Sequence, residues 1–185
     1  MSSRAPRVVT RLAAILLVAV VLVACGGQPS EVTWRNIDVD LPDGWYVFEQ
    51  TDDLLSISNV DLAAYAEEGE IPDEDVVAMF FSHEPDALPD QWRQLIDERG
   101  ATLEADDRLE LDGEVPATRL IFTDTSADLP TREMVVLIPS RQVVVLAQPV
   151  PRPGQRDAPD LFLEHVDTFL DVLDTARFGR PVLDE

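Results

Sequence analysis

Few residues of this chain have side chains that do chemistry, and they are scattered along it. There is one thiol, Cys25, and there are two histidines, His83 and His165. His83 ends an apolar run beside Glu84 and Asp86, and an imidazole among carboxylates can hold a metal ion. One histidine per distant segment is the pattern of surface or boundary positions rather than of a ligand set. Carboxylates are abundant: 36 Asp and Glu stand against 14 basic residues. With so many acids, neighbours such as Asp52-Asp53 and Asp106-Asp107 arise by number alone, so they do not define a glycosidase pair. Asp38, Asp40 and Asp43 gather oxygen atoms, as do Asp73, Glu74 and Asp75. Neither group has the glycine and closing glutamate of an EF-hand loop, and solvated charge is the plainer reading. A Gly-x-Ser-x-Gly elbow, a dinucleotide glycine fingerprint and a phosphate loop are all missing from the sequence. The inventory therefore assigns no catalytic residue, no metal and no cofactor.

The thiol has the more informative context. Met1 to Arg11 carries Arg4, Arg7 and Arg11 and no acid, and Leu12 to Ala24 is a run of 13 apolar residues. A basic head, a short apolar core and a small-residue end make a secretory signal. The core is shorter than the roughly 20 residues that cross a bilayer as a helix. Leu22-Val23-Ala24-Cys25 resembles the bacterial lipobox, in which the cysteine thiol takes a diacylglyceryl group and becomes the new N-terminus. The resemblance implies cleavage between Ala24 and Cys25, lipidation of Cys25 and a palmitate-type anchor. It places the protein on the extracytoplasmic face of a bacterial cell membrane. Gly26 stands where some two-membrane cells use Asp as an inner-membrane retention signal.

Charge narrows the partners. All 36 acids follow Cys25, and removing the three leading arginines from 14 leaves 11, a formal charge of −25. Every basic residue is Arg. A field of this sign makes nucleic acid an unsuitable partner. It also repels anionic headgroups, so adhesion to a membrane must come from acyl chains. Basic proteins and divalent cations are the partners it attracts. With Cys25 lipidated no thiol remains for a disulfide, and a domain of this length buries enough apolar surface to stand without one.

The hydropathy pattern predicts the elements that would position any site. Gly26 to Thr33 reads as a flexible tether. Asn36 to Leu41 alternates as a half-buried strand. Pro42-Asp43-Gly44 is turn chemistry, and Trp45 to Glu49 reads as a strand returning along the first, a hairpin. Trp45 either lines a groove or, as is commoner for an aromatic after a turn, plugs the sheet. Leu54 to Ser58 is a third strand, and Val60 to Glu67 a short helix stopped at Gly69. The acidic stretch Glu67 to Asp75 is a loop, and Val76 to Ser82 a strand covered on both faces. Asp86 is placed to cap a helix with Pro89 in its first turn and an apolar stripe of Leu88, Trp92, Leu95 and Ile96. Gly100 ends it. Strands follow over Thr102 to Leu111, Ala117 to Thr123, Arg132 to Ile138 and Gln142 to Gln148, with turns at Asp112-Gly113 and Pro139-Ser140-Arg141, an antiparallel meander. After a Pro-rich loop, Pro159 opens a helix with the stripe Phe162, Val166, Phe169, Leu170 and Leu173, terminated by Gly179 and Pro181.

Two stretches in this pattern carry a family likeness. Leu41-Pro42-Asp43-Gly44-Trp45 resembles the P-x-G-W opening of the PsbP-like and DcrB-like lipoprotein and thylakoid-lumen domains, through Pro42, Gly44 and Trp45. Leu111-Asp112-Gly113-Glu114-Val115-Pro116-Ala117 resembles their mid-domain hairpin, through Gly113 and Pro116. The resemblance covers about residues 36 to 177. It implies an α+β fold, an antiparallel β-sheet flanked by helices in an α/β/α sandwich, and accessory or assembly roles outside the cytoplasm without catalysis. The photosystem subunits of that family are rich in Lys, which is absent here, so a photosystem docking role does not carry over. The domains expected are a signal peptide over 1–24, a lipidated Cys25 with a tether to 33, one PsbP-like domain over 34–180 and a tail over 181–185. The function expected is a membrane-anchored binding or assembly module with an unidentified protein partner. The alternative is a lipoprotein that binds a small ligand, in a pocket between the sheet and the helix Leu88 to Arg99, or a divalent cation such as calcium.

Overall fold

The computed structural model describes residues 30–68, 72–125, 130–150 and 158–179. Cys25, Ala24, Gly69 and Pro181 lie outside the described residues. The fold is α+β, and all strand pairs among the described residues are antiparallel.

A small sheet comes first. β1 (Glu31–Trp34) and β2 (Ile37–Asp40) form a tight hairpin, with Arg35 at φ 52 in the turn. The strand at Glu31 corrects two expectations. Residues 31–33 belong to the domain and not to the tether, because Val32 alternates inward with Trp34. The partner of β2 is β1, not the strand after Trp45. A two-residue turn closes β1 on β2 locally, while the turn at Pro42 to Trp45 carries the chain into a different sheet.

That second sheet has seven strands in the order β3-β4-β5-β9-β8-β7-β6. They are β3 (Tyr46–Gln50), β4 (Leu54–Ser58), β5 (Val77–His83), β6 (Thr102–Leu111), β7 (Val115–Asp124), β8 (Thr131–Ile138) and β9 (Val143–Pro149). The meander from β6 to β9 lies as the sequence predicts, and β5 pairs with β9 from the other side. The Asp112-Gly113 turn fixes the β6–β7 register, with φ of 48 and 70 at its two central residues. Both edge strands carry a bulge, between Val47 and Glu49 in β3 and between Leu103 and Ala105 in β6. Bulges on edges disfavour pairing with a second molecule.

Each face of this sheet has its own core. On one face Met134, Val136, Val145, Met79, Phe81 and Ile57 pack against Phe162, Phe169, Val172 and Leu173 of α3 (Ala158–Thr175) and against the small sheet. On the other, Leu120, Phe122, Val135, Leu137 and Val144 pack against Ile96 and Trp92 of α2 (Pro89–Glu98). This two-sided burial explains why β8 and β9 read as continuous apolar runs: neighbouring residues fill different cores. A short helix, α1 (Leu62–Glu68), connects β4 to β5.

Two helix-end expectations need correction. The N-cap of α2 is Leu88, without a side-chain cap, and Asp86 instead gives its carbonyl to the Leu88 N–H at 2.8 Å. Gly179 does not end α3, which stops at Thr175. The chain continues as β10 (Arg177–Phe178) along β2, and the Gly179 N–H donates to the Asn36 carbonyl at 2.7 Å. A Cβ on Gly179 would lie 2.9 Å from that oxygen, so close backbone approach requires the glycine here.

Candidate binding groove

The structure brings few polar side chains together. Among the described residues an open concavity lies between the start of α2 and the outer strands β6 and β7. Pro89 at the first helical position presets φ for the helix, and Ile96 anchors the far end in the core. Strand alternation puts Asp106 and Arg108 of β6 on the α2 face, opposite Leu120 and Thr118 of β7. The resulting groove has a volume of about 440 Å³ and is lined by Leu88, Pro89, Asp90, Gln91, Arg93, Asp106, Arg108 and Thr118. It lies where the small-ligand reading places a pocket.

Arg93 braces one wall. Its Nε and Nη2 donate to the two oxygens of Asp106 at 2.7 and 2.8 Å, and its Nη1 donates to Asp90 at 2.6 Å. The fork geometry of guanidinium on carboxylate fixes both partners. The hydrogen bond to Asp106 foremost pushes the Arg93 pKa up, and the same bond pulls the Asp106 carboxyl below its ordinary range. Arg108 differs: it is exposed and makes no ion pair among the described residues. Leu88 is exposed at 49%. The arrangement offers guanidinium donors, two carboxylates and a short apolar wall.

Asp106 and Asp107 are adjacent in sequence but serve opposite faces. Asp106 holds Arg93 under α2, while Asp107 takes Arg119 at 2.7 Å on the α3 face. The strand period of two carries that signal, which a count of acids misses. Arg93, Arg108 and Thr118 carried no sequence signal, because only the hairpin register and the helix crossing place them together.

The other singled-out residues go elsewhere. Trp45 is buried, its ring edge-on to Phe169 at 6.2 Å, so it fills the core under α3 and lines no groove. Gly44 and Gly113 occupy turns at φ 79 and 70. Pro42 accepts the Trp45 N–H at 3.0 Å, and Pro116 sits exposed in β7 opposite Glu110. His83 ends β5 half-buried, and His165 lies beside Phe169 on α3 with ring centres 6.5 Å apart. The two histidines belong to different elements, β5 and α3. Asp38 and Asp40 surround the Arg177 guanidinium together with Glu31, so one cation is shared by three carboxylates and offsets part of their charge. Asp43 is exposed in its turn, and Glu74 accepts the Tyr65 hydroxyl. Among the described residues no three His, Cys, Asp or Glu side chains converge as a metal ion needs.

Burial deserves note at one carboxylate, Glu133 of β8. Desolvation raises its pKa, opposed by the Thr131 hydroxyl, which donates to it at 2.8 Å. No helix among the described residues is long and apolar enough to cross a membrane.

No family model matches the chain, and no curated protein matches it. Among solved structures, a Pseudomonas aeruginosa protein of unknown function aligns over 84% of this chain and all of its own length, at 15% identity and a TM-score of 0.47.

Proposed function

We propose that this chain is a lipid-anchored protein of the extracytoplasmic membrane face, whose α+β domain is a non-enzymatic binding or accessory module of the PsbP-like type. The observation that carries the reading is Cys25, preceded by Leu22-Val23-Ala24 at the end of a short apolar run. The domain follows almost at once: the Ser30 carbonyl already accepts the Leu41 N–H at 2.8 Å. Five residue steps span at most about 18 Å, so the anchor holds the domain close to the lipid surface. Two or three acyl chains supply stable attachment where one would not. The strong negative charge keeps the domain off anionic headgroups and leaves its surface for partners. An antiparallel sheet with a helix on each face supports the PsbP-like architecture, and the absence of a catalytic motif from the sequence supports a binding role. The groove at the start of α2 favours a small ligand over a divalent cation as the alternative cargo.

Metabolic labelling with a palmitate analogue tests the anchor. Wild type takes the label and partitions with membranes, whereas Cys25→Ser takes none and accumulates as precursor. Equal labelling of the two overturns the reading.

A further inference from the structure

We propose that the groove between α2 and the β6–β7 hairpin binds a small monocarboxylic acid with a short apolar body. This rests on reading the domain as a binding module and names the ligand class of its groove.

Three observations converge. Arg108 keeps a full guanidinium without an ion pair among the described residues, in a chain where acids outnumber bases 36 to 14. Arg99 and Arg141 likewise make no ion pair among the described residues, but Arg108 lines the groove beside Asp106 and Thr118, where its guanidinium can take an acceptor brought from outside. Guanidinium and carboxylate match as a two-point fork. Next to it, Arg93 is locked by Asp90 and Asp106 into one orientation. Three of its five N–H groups are used, leaving two to aim at an incoming oxygen.

The second observation is Leu88. It occupies the N-cap of α2, where Ser, Thr, Asp or Asn would stabilise the helix by accepting a free backbone N–H. It makes no cap and is half exposed. Local stability does not account for a leucine here; an apolar ligand surface does. Pro89 extends that wall.

The third observation is charge. Asp90 and Asp106 flank the two arginines, so the charges lining the groove balance. One added negative charge is met by Arg108. A dianion such as a phosphate monoester would bring a second charge against two fixed carboxylates. The volume, about 440 Å³, lies in the lower part of the range usual for small-molecule sites, roughly 300–1,000 Å³.

Residues 30–179 contain both cores and both sheets. A chain beginning at Gly26 therefore keeps every contact described above and serves for the experiment. Its amide and methyl NMR spectra are followed during titration with hexanoate, and with hexanol, hexylamine and hexyl phosphate as controls. Hexanoate gives saturable shifts at Leu88, Gln91, Arg108 and Thr118, and the controls do not. Arg108→Gln weakens hexanoate binding by about tenfold or more, as loss of a charge-assisted fork requires. Leu88→Ser also weakens it, while its melting temperature stays level or rises through the new cap. That opposite movement separates a ligand wall from a packing residue. The proposal is overturned by an absence of saturable shifts, by equal binding in Arg108→Gln or Leu88→Ser, or by hexyl phosphate binding as tightly as hexanoate. Since this chain lacks the anchor, failure here leaves the labelling result at Cys25 untouched.

Discussion

Truncating Trp45 separates its two sequence readings by energy. The ring is 5% exposed and meets Phe169 edge-on, at 6.2 Å between centres and 85° between planes. Phe169 is itself fully buried and touches Phe162, with centres 5.9 Å apart. Trp45→Ala removes a large buried ring and leaves a cavity between the first turn and α3. The expected cost is about 3–5 kcal/mol. In a domain of this size that lowers the melting temperature by about 6–20 °C. Phe169→Ala costs a similar amount. The double mutant costs less than the sum by about 0.5–1.5 kcal/mol, the coupling of an edge-to-face pair. Chemical denaturation of the four proteins, at constant denaturant slope, measures each quantity. Because Trp45 lies on the α3 face and the groove on the α2 face, folded Trp45→Ala still shifts with hexanoate. A cost below about 1 kcal/mol, against the value expected for a buried aromatic, refutes the plug assignment. So does loss of hexanoate binding in a variant that remains folded.

Gly179→Ala places a methyl group 2.9 Å from the Asn36 oxygen. Parting β10 from β2 lowers stability by about 1–3 kcal/mol, as overpacking does, and denaturation measures it; an unchanged midpoint contradicts the close approach. Glu133 gives a pH signature. Its folded-state pKa is raised above the ordinary 4.5, chiefly by burial. The unfolded chain therefore ionises it more readily, and the penalty is complete above the raised value. Wild type gains stability as pH falls through that value towards 4.5. Glu133→Gln melts higher than wild type at neutral pH, and the gap closes below the ordinary carboxylate range. A gap that persists at low pH assigns the effect to something other than ionisation. The labelling of Cys25 and the titration of Arg108→Gln stand beside these as tests of function.

Sequence alone determined the elements whose signals are local. Asp112-Gly113 set a hairpin because few residue pairs accept two successive positive φ angles cheaply. The stripe of Phe162, Phe169 and Leu173 set α3 because the 3.6-residue period is written in the chain itself. The expectation at Cys25 rests on contiguous residues in the same way, and those residues lie outside the described ones. What the tertiary structure alone decided was everything that depends on pairing across distance. β2 could not announce β1 and β10 as its neighbours, since alternation says which side chains face inward but not which strand lies beside it. Gly179 reads as a helix stop until Asn36, far earlier in the chain, is brought against it. Arg93, Arg108 and Thr118 become one groove only because a helix crosses a hairpin at a particular register. Local periodicity encodes burial, whereas contact between distant segments is fixed by the joint packing of both cores, a property that no single stretch contains.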